Sequence, residues 1–270
     1  MGAEWIAALP MYDFPQVRDA HDAFWAALAD RLRAAGLRDV PRELTRDLGH
    51  FDVWRHPALL FAQGCEYPLA KSFADRVRLV ATPRYSAPGC EGFSYRSAIV
   101  VRHEETGSLA DFRGRRCVVN EVDSNSGMNL LRAAVAPLAG GARYFASVVV
   151  SGSHRRSAEM VASGEADVAA VDCVSFAHFR RLYPGVVAKL RVLSWTPASP
   201  SLPFITARSG GDATVQILRS ALAAVFDDDA LAPVRERLFL AGVDLQPAEG
   251  FGEVLRLERG AVEQGYPTIC

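Results

Sequence analysis

The chain has 270 residues, a formal net charge of −1 and a 50% hydrophobic composition, enough to bury one large core or two separate lobes. This near-neutral balance gives no field to gather nucleic acid or an anionic membrane surface, and the basic pairs at 115–116 and 155–156 lack interleaved aromatics and read as solvated surface. No stretch approaches the ~20 apolar residues of a membrane span, and the first apolar run is broken by Glu4 and Pro10 without a basic leader; as written the chain reads as soluble and cytoplasmic, or as periplasmic if a leader has been removed.

In chain order, residues 6–9 read as a strand. Residues 15–35 read as a helix, because Val17, Ala20, Phe24, Ala27, Leu28 and Leu32 recur at helical period and Gly36 ends the run. Buried strands are expected at 59–62 and 77–81, with a short helix near 67–73 between them. After a turn-rich break at 85–93, residues 95–102 form a long strand-like run. A second series follows, with strands near 117–120, 145–150, 168–171 and 190–193. Its helices are expected near 127–137, 154–163 and 175–182. The proline-rich stretch 194–203 leads to a strand at 204–207, helices at 213–226 and 230–240, and a terminal helix near 254–262 packed on the outside. This βαβ rhythm predicts an α/β fold with mainly parallel sheets. One unit (97–203) is inserted into another (1–96 with 204–270), and the two crossings act as hinges around a cleft.

Five cysteines, Cys65, Cys90, Cys117, Cys173 and Cys270, show no CxxC pair and no metal-ligand spacing. Cys117 and Cys173 lie in apolar runs and read as small core residues. Cys65 and Cys90 both flank glycine-containing turns, which would let them approach each other. His50, Asp52 and His56 lie close together in HFDVWRH but lack the context of a zinc motif. Neither a metal nor a cofactor is implied.

Two stretches carry the chemistry: VVNEVDSNSGM at 118–128 and SGSHRRSAEMVASGEADVAAVD at 151–172. Each reads as a strand, then small hydroxyl or amide residues, then a helix start. Ser124, Asn125, Ser126 and Gly127 would present backbone N–H groups and two hydroxyls at one helix N-terminus. First-turn N–H groups have no intrahelical partner and the helix dipole is positive there, so the turn suits an anion. Ser151, Ser153 and His154 repeat the arrangement. Two such turns on neighbouring parallel strands would converge on one small oxyanion.

These residues resemble the phosphate/phosphonate-binding proteins of ABC transporters, of the type 2 periplasmic binding protein fold. The likeness rests on SLADFRGRRCVVNEVDSNSGMN (108–129), which is similar to the family's lead-in, strand and Ser-rich turn, and on the SGSH and G-x-A-D-x-A-A-V-D pattern of 151–172. The resemblance implies a two-lobe α/β fold that closes on a small phosphorus oxyanion (phosphonate, phosphate or phosphite). The ligand contacts it implies are Ser124, Asn125, Ser126, Gly127 and His154, with Tyr12 and Tyr67 contributed by the other lobe. It also implies Asp172 facing the ligand's substituent or a protonated oxygen, and an ABC permease as partner. Two departures stand out. Transport members carry a leader that this sequence does not show, and 194–203 offers only Ser and Thr where some aminoalkylphosphonate binders place an acid.

Each residue also has a plainer role. Ser124–Gly127 suits an ordinary capped helix start, and Asp172 a cap for the helix that follows it. Tyr12 and Tyr67 suit half-buried packing, as does Tyr95 at the start of its strand. The leading reading is a non-enzymatic solute-binding protein, for uptake or as a soluble sensor. The alternative is an enzyme of the same fold using Asp172 and His154 in acid–base chemistry on a small anionic substrate, since fold does not settle function.

Overall fold

The computed structural model describes residues 5–245 and 251–270. Its strands are β1 (Ile6–Ala8), β2 (Leu59–Gln63), β3 (Val77–Tyr85), β4 (Ser94–Tyr95), β5 (Ser97–Arg102), β6 (Arg116–Val119), β7 (Ser147–Val150), β8 (Val168–Asp172), β9 (Leu190–Trp195), β10 (Ser199–Pro200), β11 (Phe204–Ala207) and β12 (Leu240–Asp244). The chain forms two compact units, Met1–Ser86 with Ser201–Phe251, and Ala87–Pro200 with Gly252–Cys270.

The first unit is built on a sheet of order β1-β2-β11-β3-β12. β2 is buried along its whole length, as expected for a strand covered on both faces. β1 pairs parallel with β2, whereas β11 slots between β2 and β3 antiparallel to both, and β12 runs antiparallel to β3. Helix Arg18–Ala34 buries Phe24, Trp25, Leu28 and Leu32 on the face that its period predicts. Phe24 stacks on Phe204 and Trp25 on Phe61, at 6.3 and 6.0 Å between ring centroids.

The second unit has a sheet of order β7-β6-β8-β5-β9. β7, β6 and β8 are mutually parallel, and β5 runs antiparallel to both β8 and β9. Each sheet is therefore mixed, and in each the strand that follows a crossing, β11 or β5, is inserted against the direction of its neighbours. The parallel trio positions the candidate site, because β6, β7 and β8 all end on the same side of the sheet and each is followed, directly or after a short turn, by a helix start.

Three local expectations change. Residues 238–240 leave the helix early: it spans Ala232–Arg237, and Leu240–Asp244 form edge strand β12 instead. The 95–102 run breaks at Arg96, so that Tyr95 pairs with Ser199 while Ser97 pairs with Asp172. The terminal helix, Gly252–Glu263, belongs to the second unit rather than the first. Specific bonds hold this tail there. Asn129 donates to the Val254 carbonyl, Arg132 to the Pro267 carbonyl, and the backbone N–H groups of Tyr144 and Phe145 to the Cys270 carbonyl. Among the described residues, no helix is long and apolar enough to cross a membrane.

Candidate functional site

The turn after β6 opens as a wide helical turn, Asn125–Asn129, in which the Asn129 N–H reaches back to the Ser124 carbonyl at 3.0 Å. Ser124 is its N-cap, and its Oγ accepts from the Gly127 N–H at 3.0 Å. Ser126 sits two positions inside the cap, where a backbone N–H has no carbonyl to bond within the helix. Its Oγ lies 3.4 Å from Ser124 Oγ and 2.7 Å from His154 Nε2. That last contact joins the two sequence motifs, because His154 is the first residue of helix His154–Ser163, after β7 and the Ser153 cap.

Gly127 is required by close approach. A Cβ there would lie 1.8 Å from Asn120 Oδ1 and 3.2 Å from His154 Cε1. The Asn120 oxygen is itself buried without a hydrogen-bond partner. Glycine thus lets the end of β6, the Ser-rich turn and the histidine pack against one another.

The side chain of Asn125 is committed to scaffolding. Its Nδ2 donates to Tyr95 Oη at 3.0 Å and to Ser199 Oγ at 2.8 Å, and its Oδ1 accepts from Asn129 Nδ2 at 2.9 Å. Asn129 Oδ1 in turn accepts from Arg132 at 2.7 Å. Asn125 and Asn129 are fully buried, so this network fixes the turn by satisfying polar groups that would otherwise be costly. Asp172, at the end of β8, caps helix Cys173–Leu182, its Oδ1 accepting from the Ser175 N–H at 2.7 Å.

The electrostatics rest on dipoles. Burial lowers the His154 pKa to about 4, so the ring is neutral near pH 7. Glu121, just before the turn, is raised by burial and then by neighbouring Asp123. An oxyanion here would therefore be met by hydroxyls, backbone N–H groups and a neutral imidazole rather than by a fixed cation.

Residues 58–246 match the family model described as "ABC transporter, phosphonate, periplasmic substrate-binding protein". The chain belongs to this phosphonate-binding family. No curated protein sequence matches it. Among solved structures, PhnD1 from Prochlorococcus marinus in complex with methylphosphonate superposes with a TM-score of 0.74 at 14% identity, over 95% of this chain and 97% of that one. The binding-protein component of a Pseudomonas aeruginosa ABC phosphonate transporter gives 0.73 at 16% identity, over 96% and 87%. A Xanthomonas citri protein bound to ATP gives 0.72 at 16% identity, over 97% and 98%. At these identities the superpositions establish the fold, a type 2 periplasmic binding protein architecture.

In this phosphonate-binding family member, the second unit brings together Ser124, Ser126, Gly127 and His154 through the contacts above and keeps Asp172 at the same end of the sheet. Tyr12 and Tyr67 belong to the first unit. Tyr12 is buried edge-on to Tyr85 at 5.6 Å, and Tyr67 is buried with the Lys71 ammonium 5.9 Å from its ring centroid. Sequence reasoning missed Asn120, Asn129 and Ser199, and it took Tyr95 for packing alone. The one available signal was the i, i+4 spacing of Asn125 and Asn129. Cys65 and Cys90 fall in different units, and the sulfur beside Cys90 Sγ is Cys173 Sγ, at 3.3 Å. Among the described residues, no group of three acidic, His or Cys side chains is placed to hold a metal.

Proposed function

We propose that this chain is a non-enzymatic solute-binding protein whose ligand is a small phosphorus oxyanion (phosphonate, phosphate or phosphite), delivered to an ABC permease. The observation that carries this reading is the 2.7 Å contact between Ser126 Oγ and His154 Nε2, which couples two helix starts at the ends of adjacent parallel strands. With Nε2–H donating into Ser126 Oγ, the serine hydroxyl is free to turn its own proton toward an anion. Ser124 and Ser126 hydroxyls and the first-turn N–H group of Ser126 supply the remaining donors. Hydrogen bonds to a charged group contribute about 1.5–3 kcal/mol each. A ligand of about five to seven heavy atoms could reach roughly −7 to −10 kcal/mol, micromolar or tighter, without any chemical step.

Asp172 favours a ligand that keeps an acidic proton or carries an ammonium group, since a bare dianion would be repelled. Tyr12 and Tyr67 are candidate contributors, each tested by substitution with Phe. The ATP-bound Xanthomonas relative makes nucleotide triphosphates the second ligand class to assay. Thermal unfolding with phosphate, phosphite, methylphosphonate, 2-aminoethylphosphonate, ATP, sulfate and small carboxylates tests the reading. A ligand held only by the folded state contributes about 2.7 kcal/mol at a hundred times its dissociation constant. The expected result is a shift with small phosphorus oxyanions and none with sulfate or carboxylates. A shift with carboxylates alone would overturn it.

A further inference from the structure

Cys90 and Cys173 are separated by 83 positions in the chain, yet their sulfurs are 3.3 Å apart. The turn that carries Cys90 is pressed onto the start of helix Cys173–Leu182. Gly89 has φ +100°, and a Cβ on it would lie 2.9 Å from Cys173 Cβ and 2.5 Å from Trp195 Cζ3. Both cysteines have anchored backbones: the Cys90 N–H donates to the Ala87 carbonyl at 3.0 Å and the Cys173 N–H to the Arg96 carbonyl at 3.2 Å. Exposure is unequal, with Cys90 partly open and Cys173 buried. Two core cysteines serving only as small apolar fillers would not need one partner in a partly open turn.

We propose that Cys90 and Cys173 are a dithiol that closes into a disulfide, locking the 87–93 turn onto the helix capped by Asp172. Bond formation needs the sulfurs to approach from 3.3 Å to about 2.05 Å, a movement of roughly 1.2 Å. The oxidant is a low-molecular-weight disulfide, RSSR. The exposed Cys90 thiolate attacks one sulfur of RSSR, forming a mixed disulfide and expelling RS⁻. Cys173 then loses its proton to solvent and attacks the Cys90 sulfur, expelling the second RS⁻. Two protein thiols are thereby oxidised by two electrons and RSSR is reduced to two RSH. In the dithiol the Cys173 thiol is held well above the usual range by its bond to Cys90, by burial and by Asp172. In an oxidising compartment the turn is bolted down, and in a reducing one it is held only by packing. This inference is independent of which ligand the protein binds.

The test treats the native, full-length protein with excess oxidised glutathione and maps its peptides. Cys270, which is exposed, should take up one glutathione and so report that the oxidant acted. The expected result is a peptide pair joined through Cys90 and Cys173 with loss of two hydrogens. It should come with a melting temperature raised by about 5–10 °C and reversed by dithiothreitol. Cys90→Ser should fold, lose the cross-link and lose the thermal shift. A glutathione adduct persisting on Cys90, both thiols unreacted while Cys270 is modified, or an equal thermal shift in Cys90→Ser would each overturn the proposal.

Discussion

Replacing Gly127 by alanine isolates the contact on which the candidate site is assembled. In a helical turn with free space, Gly→Ala is favourable by up to about 1 kcal/mol through backbone entropy. Here the new methyl would sit 1.8 Å from Asn120 Oδ1 and 2.8 Å from its Cγ, far inside contact distance, so Asn120 must leave its position. Overpacking of this kind costs about 1–3 kcal/mol, and the same methyl would crowd His154 Cε1 at 3.2 Å. The net expectation is a loss of about 1–2 kcal/mol by denaturant unfolding. Because the clash is with one side chain, Asn120→Ala should relieve it. The double variant should then recover at least about 1 kcal/mol relative to the sum of the two single changes. A Gly127→Ala protein as stable as the parent, or a strictly additive double variant, would refute the packing argument.

Asn125→Ala should cost about 2–4 kcal/mol in the same assay, because it removes the hydrogen bonds to Tyr95 Oη and Ser199 Oγ and from Asn129 Nδ2 in a buried network; an effect below 0.5 kcal/mol (roughly the size of a neutral surface change) would show that the network is not structural. NMR titration of His154 should give a pKa near 4 in the ligand-free protein, and a bound phosphonate should move it upward; a free value near 6.5 would contradict the buried, neutral ring. Stability should fall as the pH drops from about 6.5 toward 4. In that window the unfolded chain takes up protons that His21 and His154, both lowered to about 4 chiefly by burial, refuse in the folded state. The buried His21 alone contributes up to about 3 kcal/mol of this loss. A second decline belongs below pH 4, where Asp167, held at about 2 chiefly by its bond to Arg116, is finally protonated. Flat stability between pH 7 and 4.5 would exclude the histidine part.

Most of the fold was legible because its elements announce themselves locally. The Phe24, Leu28 and Leu32 period marks a helix, and the short apolar runs at β2, β6 and β8 are bounded by turn residues. The Ser124–Gly127 and SGSH turns were legible for the same reason, since caps and helix starts are written in adjacent residues. What escaped depended on partners distant in sequence. Residues 238–240 read as the end of a helix, but the helix stops at Arg237 and edge pairing with β3 makes Leu240–Asp244 a strand. The amphipathic tail at 252–263 does not say in its own sequence which unit its apolar face packs on, and bonds from Asn129, Arg132 and the Tyr144–Phe145 backbone help to hold it on the second. Likewise the role of Tyr95 and the pairing of Cys90 with Cys173 are fixed by contacts tens of residues apart, which local patterning does not encode.

The most direct test is isothermal titration of methylphosphonate into the native protein and into the Ser126→Ala/His154→Ala variant, with circular dichroism confirming that both are folded. The account predicts saturable binding at micromolar affinity or tighter in the parent. In the variant, loss of the Ser126 hydroxyl and of the imidazole that orients it should weaken it by at least about 10-fold. Equal affinity in the two proteins, or binding of carboxylates but no phosphorus oxyanion by the parent, would contradict the assignment of this site.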